Sequence, residues 1–204
     1  MSRRWVLASG NAGKLKEFRR RLEPFGIELI PQGELGIQGA EETGDTFAEN
    51  AMLKAEHAAR ESGLPALADD SGLEVDALDG APGVRSARYA GPDASDADNV
   101  DRLLAELDDH SNRAARFCCV LTWLAHPDFG LPEVFTGHWH GEILRERRGS
   151  GGFGYDPVFY VPDQDCTAAE LDLDVKNELS HRGQAMDQLI QALVEGRIDD
   201  DARL

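Results

Sequence analysis

Two acidic doublets, Glu41-Glu42 and Asp69-Asp70, are the side chains in this sequence best suited to holding a metal or moving a proton. Successive residues of an extended chain point to opposite sides, so one member of each doublet can enter a cleft while the other faces away. Two carboxylates drawn from separate segments suit Mg²⁺, which keeps several waters and takes one or two protein carboxylates together with substrate phosphates. Acidic doublets on an acidic protein are more usually solvated. Asp69-Asp70 resists that reading, because it ends the apolar run Leu64–Ala68 and precedes Ser71-Gly72. That places it at a strand tip before a tight turn, where catalytic groups gather.

Three further stretches carry suitable chemistry. ASGNAGKLKEF, residues Ala8–Phe18, sets Gly10, Asn11, Gly13 and Lys14 between a short apolar run and a helical pattern. It lacks the G-x-x-x-x-G-K-[ST] spacing of a Walker loop, since Gly10 and Gly13 are too close and Leu15 follows Lys14. Its parts fit either a phosphate cradle at a helix start or a plain strand-to-helix turn with a surface lysine. GSGGFGYDP places glycines around Phe153, Tyr155 and Asp156, as for a ring that stacks a base or a hairpin whose aromatics fill the core. KNELSHRG sets Lys176 ahead of Ser180, His181 and Arg182 at a helix start, where the dipole disfavours cations. A bound ligand would offset that cost; three exposed polar residues are the alternative.

These residues need elements to hold them. The patterning predicts a strand over Trp5–Ala8, a helix over about Lys14–Leu22 and a strand over Ile27–Pro31. A second helix, capped by Thr43-Gly44-Asp45, runs from about Thr46 to Ser62, and a strand then leads to Asp69-Asp70. Gly80–Pro92 reads as a long loop and Asp96–Leu107 as a third helix. RFCCVLTWLA and EVFTGHWHGEIL read as long strands, antiparallel neighbours across the turn Pro127–Pro132. The strand VFYV and a helix from about Ser180 to Glu195 follow the glycine loop, and the acidic tail from about 196 to 204 is expected to fray. The mixture indicates an α/β fold with long, partly antiparallel strands.

At 204 residues and 41% hydrophobic content, the chain suits one globular domain with a sizeable core. The net charge of −17 repels polynucleotide backbones, which disfavours a nucleic-acid partner. A free nucleotide would need a metal and local cations to invert that field. No apolar run reaches the ~18 residues of a membrane span, and Trp5–Ala8 is too short for a signal-peptide core. Cys118, Cys119 and Cys166 give neither a disulfide framework nor a metal spacing, consistent with a cytoplasmic protein.

Taken together and in this order, SGNAGKLKEF, EETGDTFAENAMLKA, ADDSGLEVDALDGAPGVRSARYAG, GSGGFGYDPVFYVP and KNELSHRGQA resemble the inosine triphosphate pyrophosphatase family. The matching segments span nearly the whole chain. The resemblance implies a long, curved mixed sheet flanked by helices, one domain of two lobes with a central active-site cleft, and a homodimer. It also implies Mg²⁺-dependent hydrolysis of ITP, dITP and XTP to monophosphate and pyrophosphate, which cleanses the nucleotide pool.

Carried over by position, the resemblance gives the triphosphate to Ser9, Gly10, Asn11, Ala12, Gly13 and Lys14, with a further phosphate contact from Lys54. Ser9 stands where a threonine is common, and both offer a hydroxyl. Glu41 and Asp70 would serve the metal, Asp70 also as the base for the attacking water, and Ser71 would touch substrate. Phe153, Gly154, Tyr155 and Asp156 would hold base and sugar, with Phe153 the stacking ring. Lys176, His181 and Arg182 would close over the nucleotide and read the purine 6-keto oxygen. Donors there would clash with adenine's amino group, whereas guanine shares the keto group and must be excluded at its 2-position. Pyrophosphatases for other modified nucleotides, and a nucleotide sensor without turnover, are the competing readings. Intact Glu41 and Asp70 weigh against the sensor.

Overall fold

The structure is a computed structural model and describes residues 3–126, 128 and 131–198. Strands β1 (Arg3–Leu7), β2 (Ile27–Pro31), β3 (Ala66–Val75), β4 (Ala114–Leu124), β5 (Glu133–Ile143), β6 (Phe159–Val161) and β7 (Cys166–Thr167) form one sheet. Its order is β2-β1-β3-β4-β5-β6-β7. β1 pairs in parallel with β2 and β3, whereas β5–β6 and β6–β7 are antiparallel, so the open sheet is mixed. Flanking it are α1 (Ala12–Leu22), α2 (Phe47–Ser62), α3 (Asp96–Glu106), α4 (Leu173–Leu179) and α5 (His181–Val194). The expected α/β class holds, and β4 and β5 are the expected neighbours. Residues 127, 129 and 130 of their connecting turn lie outside the described residues, as does the acidic tail beyond residue 198.

The chain divides into two compact units. The first comprises residues 1–70, 120–136 and 185–204. Its core includes Val6, Ala8, Ala55, Ala58, Ala59, Ala66, Ala68 and Leu124, where the alanines let α2 approach the strands closely. The second comprises residues 71–119 and 137–184. It is built around larger rings, with Phe117 against Phe159 at 4.5 Å between centroids and Trp139 against Phe159 at 5.3 Å.

Caps fix the two helices that carry site residues in the first unit. Asn11, not Lys14, opens α1: its Oδ1 accepts the N–H groups of Gly13 and Lys14 at 2.9 and 3.1 Å. α2 is opened by Thr46 rather than the preceding Thr43-Gly44-Asp45, through a capping box in which Thr46 and Glu49 satisfy each other's backbone donors. A further difference concerns the acidic doublet. β3 runs straight through Asp69-Asp70 to Val75, so the pair lies inside a strand rather than at its tip. A lysine meets each carboxylate there, which is what lets a buried strand continue through two acids.

Candidate active site

In the first unit, helix lysines meet strand acids. Lys14 Nζ lies 2.7 Å from Asp69 Oδ2, and Asp69 is only 1% exposed. Lys54 Nζ donates to Asp70 Oδ1 at 3.0 Å and to Glu42 Oε1 at 2.8 Å. Both members of the doublet are therefore engaged, where one was expected to face away. Glu41 is solvent-exposed and Glu42 is the member of its doublet that reaches Lys54. Burial pushes the Asp70 carboxyl above the usual carboxylate range, more than the Lys54 ammonium pulls it down. Burial also draws the Lys54 ammonium down, but Asp70, Asp69 and Glu42 outweigh it and hold its pKa above the usual value.

The opening loop satisfies its own donors. Besides the Asn11 cap, Ser9 Oγ accepts the Asn11 N–H at 3.2 Å. A phosphate reaching Gly13 or Lys14 N–H would have to take the place of Asn11 Oδ1. Gly10 is exposed, and a Cβ built there would meet nothing within 4 Å, so the chain itself does not demand glycine at that point. Close approach by a ligand would demand it.

In the second unit, the glycine loop folds around Asp156. Its Oδ2 accepts the Phe153 N–H at 2.7 Å and the Lys176 ammonium, and a side chain at Gly152 would collide with it. Gly154 N–H donates to Asp96 Oδ2 at 2.7 Å. Tyr155 is buried, its hydroxyl donating to Ser86 O at 2.8 Å. Phe153 is different: 57% exposed, with Lys176 Nζ 4.9 Å from its ring centroid. Of the aromatics in this loop, Tyr155 fills the core and Phe153 offers a free-standing ring. Lys176 sits on α4, a short helix that no apolar periodicity in the sequence marks. Ser180 ends α4, and its Oγ accepts the Gly183 N–H at 3.1 Å in the first turn of α5. His181 is buried and stacks on Phe117 at 4.9 Å and 15° between planes. Arg182, also buried, donates to Ser71 Oγ at 3.3 Å.

Sequence reasoning missed Asp69, Glu42, Asn50, Asp96 and Phe117 as supporting groups. Asn50 had a signal: it sits four residues before Lys54, hence on the same helix face. The others are joined to the site by contacts distant in sequence.

A divalent cation can be tested against this chemistry. Among the described residues, no group of three or more His, Cys, Asp and Glu side chains converges as a protein-only metal cage. Mg²⁺ does not require one, because phosphates and water complete its shell. Asp70 Oδ2 is buried and has no hydrogen-bond partner among the described residues. An unpaired carboxylate oxygen is costly to bury, and a cation or an activated water would satisfy it. The residues fit the ion.

Fold and site together define an open-sheet α/β protein with a lysine–carboxylate centre. A model of the Ham1 family matches residues 5–192, and the chain belongs to that family. It is 60% identical over 187 residues to a dITP/XTP pyrophosphatase of Methylococcus capsulatus, covering 91% of this chain and 93% of that one. It is 55% identical over 193 residues to a dITP/XTP pyrophosphatase of Escherichia coli O157:H7, covering 94% and 98%. Among solved structures, a HAM1 protein from Coxiella burnetii superposes with a TM-score of 0.92 at 51% identity, covering 95% of this chain and 99% of the other. The resemblance drawn from the sequence motifs holds.

Proposed function

We propose that this chain hydrolyses the deaminated purine nucleoside triphosphates dITP, ITP and XTP to the monophosphate and pyrophosphate. We further propose that it does so with Mg²⁺, as a cytoplasmic homodimer, removing these nucleotides from the pool. The names of its relatives support the substrate class. Among the described residues, no helix is long and apolar enough to cross a membrane. The observation that carries the chemistry is Asp70, with one oxygen held by Lys54 and the other buried without a hydrogen-bond partner among the described residues.

In this reading Ser9–Lys14 and Lys54 bind the phosphates, with Asn11 Oδ1 giving way to a phosphate oxygen. Glu41 and Asp70 would hold Mg²⁺, which supplies charge neutralisation and orientation of the phosphate oxygens. Asp70 Oδ2 takes the proton from a water attacking the α–β phosphate linkage, and its raised pKa suits a base at neutral pH. The bond from the α-phosphorus to the bridging oxygen breaks, and pyrophosphate leaves with Lys14 and Lys54 balancing its charge. Phe153 stacks the base, Gly154 lets the loop backbone approach it, and Tyr155 and Asp156 hold that loop. Ser71 keeps Arg182 in place, and Lys176, His181 and Arg182 close over the nucleotide. His181 and Arg182 donate to the 6-keto oxygen, and an adenine amino group would leave those donors unpaired at about 1–3 kcal/mol each.

The test is a product assay with Mg²⁺ on ITP, dITP, XTP, ATP, GTP and UTP, scoring pyrophosphate and inorganic phosphate separately. Pyrophosphate and monophosphate from the first three, with little from the rest, is expected. Inorganic phosphate alone, or tight binding without turnover, rejects the reading.

A further inference from the structure

His181 enters α5 from a junction that leaves its backbone little freedom. Ser180 closes α4, its N–H donating to Lys176 O at 2.9 Å, and opens α5, its Oγ accepting the Gly183 N–H at 3.1 Å. The Gln184 N–H donates to Ser180 O at 3.0 Å. Gly183 lies so close to α4 that a Cβ there would stand 2.0 Å from Asn177 O. The residues on both sides of His181 are thus tied to α4, and its Cα is held between them.

The side chain is held by a different element. Phe117, on β4, lies nearly parallel to the imidazole, at 4.9 Å between centroids and 15° between planes. Phe117 is itself wedged, with Phe159 at 4.5 Å and 47° and Trp139 at 6.3 Å and 27°. All three rings are buried, and close packing of that kind keeps a side chain in one rotamer. Both nitrogens of an imidazole, with any hydrogen they carry, lie in the plane of the ring. A ring stacked at 15° can therefore donate only along the face of Phe117. The strand residue decides the direction of a hydrogen bond that the helix residue makes. Such a bond weakens steeply off line, so a ring free to tilt would lose its hold on a fixed acceptor.

We propose that Phe117 is a positioning residue for base selection: acting through His181, it aims the imidazole at the 6-position of the purine and so sets the preference for a keto oxygen over an amino group. Phe117, His181 and Phe153 belong to the same compact unit, so the ring that aims the donor and the ring that would stack the base share one core. The inference rests on the reading in which His181 donates to the 6-keto oxygen, and its test separates the two.

Phe117→Leu removes the flat face and keeps an apolar side chain; Phe117→Met is the alternative should the first fail to fold. Phe159→Leu takes a ring that packs on Phe117 and Trp139 from the same cluster, and is the structural control. Each purified full chain is checked by circular dichroism and melting, and kcat and KM are then measured for ITP and ATP in Mg²⁺. In Phe117→Leu, KM for ITP should rise roughly fivefold or more with kcat within about threefold of the parent, the pattern of lost binding that ground and transition states share. The ITP-to-ATP ratio of kcat/KM should fall by a similar factor. Phe117→Tyr, which keeps the flat face, should return both to within about twofold of the parent. Phe159→Leu should lower the melting point and leave both unchanged. A KM and a ratio that stay at the parent's values in folded Phe117→Leu would overturn the proposal, as would equal changes in Phe159→Leu. A parent that binds ITP in preference to ATP without cutting it rejects the pyrophosphatase reading alone, and the ratio of Kd values from calorimetry then decides Phe117 by the same margins. A parent that does not distinguish ITP from ATP in either assay overturns both.

Discussion

Lys14 and Asp69 meet at 2.7 Å although they lie 55 positions apart, joining the opening helix to the third strand through one buried ion pair. Removing only the lysine takes the ion-pair partner at 2.7 Å from a carboxylate that is 1% exposed. Lys14→Ala should therefore destabilise the fold by about 3 kcal/mol, the low end for a broken buried pair, because the lysine side chain keeps 19% exposure. The double variant Lys14→Ala/Asp69→Asn should be more stable than Lys14→Ala alone. Urea midpoints of the three chains decide it, and a double variant less stable than the single one refutes the coupling.

Asp70→Asn removes the proposed base and keeps the shape. Turnover of ITP should fall at least ~100-fold, the smaller end of what a general base supplies. Nucleotide binding should survive and be measurable by calorimetry. Because burial raises the Asp70 pKa, protonation disables it at a higher pH than an ordinary aspartate. The acid limb of kcat/KM should accordingly lie above that of an ordinary aspartate and be absent from whatever residual rate the variant shows. Retention of most activity would remove Asp70 from the base role.

Phe153 is 57% exposed, so Phe153→Ala should leave the melting point nearly unchanged. Base stacking contributes about 1–3 kcal/mol, which predicts a KM for ITP raised roughly 5- to 150-fold. An unchanged KM would mean the ring does not meet the base.

Tyr89 gives a prediction about stability alone. Burial, helped by its bond to Glu106, pushes its phenol up to about 12. An unfolded tyrosine ionises near ~10, so the contribution is intact below that pH and lost as pH climbs toward the folded value. Tyr89→Phe should flatten the fall in urea midpoint between pH 9 and 11, compared with the parent. Parallel declines in the two chains would assign alkaline loss elsewhere.

Local signals were legible where local physics decides. Helix α2 was legible to within a residue of its observed start because its apolar residues recur at helical spacing, although the cap is Thr46 with Glu49 and not Thr43-Gly44-Asp45. The long strands β4 and β5 announced themselves by β-branched and aromatic runs. The short helix α4 was not legible: LDVKNEL is only 7 residues, has no buried residue and carries two exposed apolar side chains, so no amphipathic stripe marks it. The acid–lysine matching was equally hidden. Nothing near Asp69 in the sequence announces Lys14, and the run Ser71-Gly72 looks like a turn until the lysines are seen to neutralise the strand. Asp156 is buried and accepts the Phe153 N–H, a brace for the glycine loop that the sequence pattern does not mark.

The pairing of Lys14 with Asp69 and of Lys54 with Glu42 and Asp70 has a consequence for traffic under the proposed phosphate-binding role of these lysines. In a chain of net charge −17, these cations already have resident counterions, so an arriving polyanion exchanges partners instead of meeting bare charge. In that reading, admission would require carboxylates to let go, and the released carboxylates would be the groups able to hold a cation or a proton. Once the phosphate chain is cut, the same carboxylates would compete to recover their lysines. The protein's own acids act as its eluent, favouring departure of a product that carries less charge than what entered.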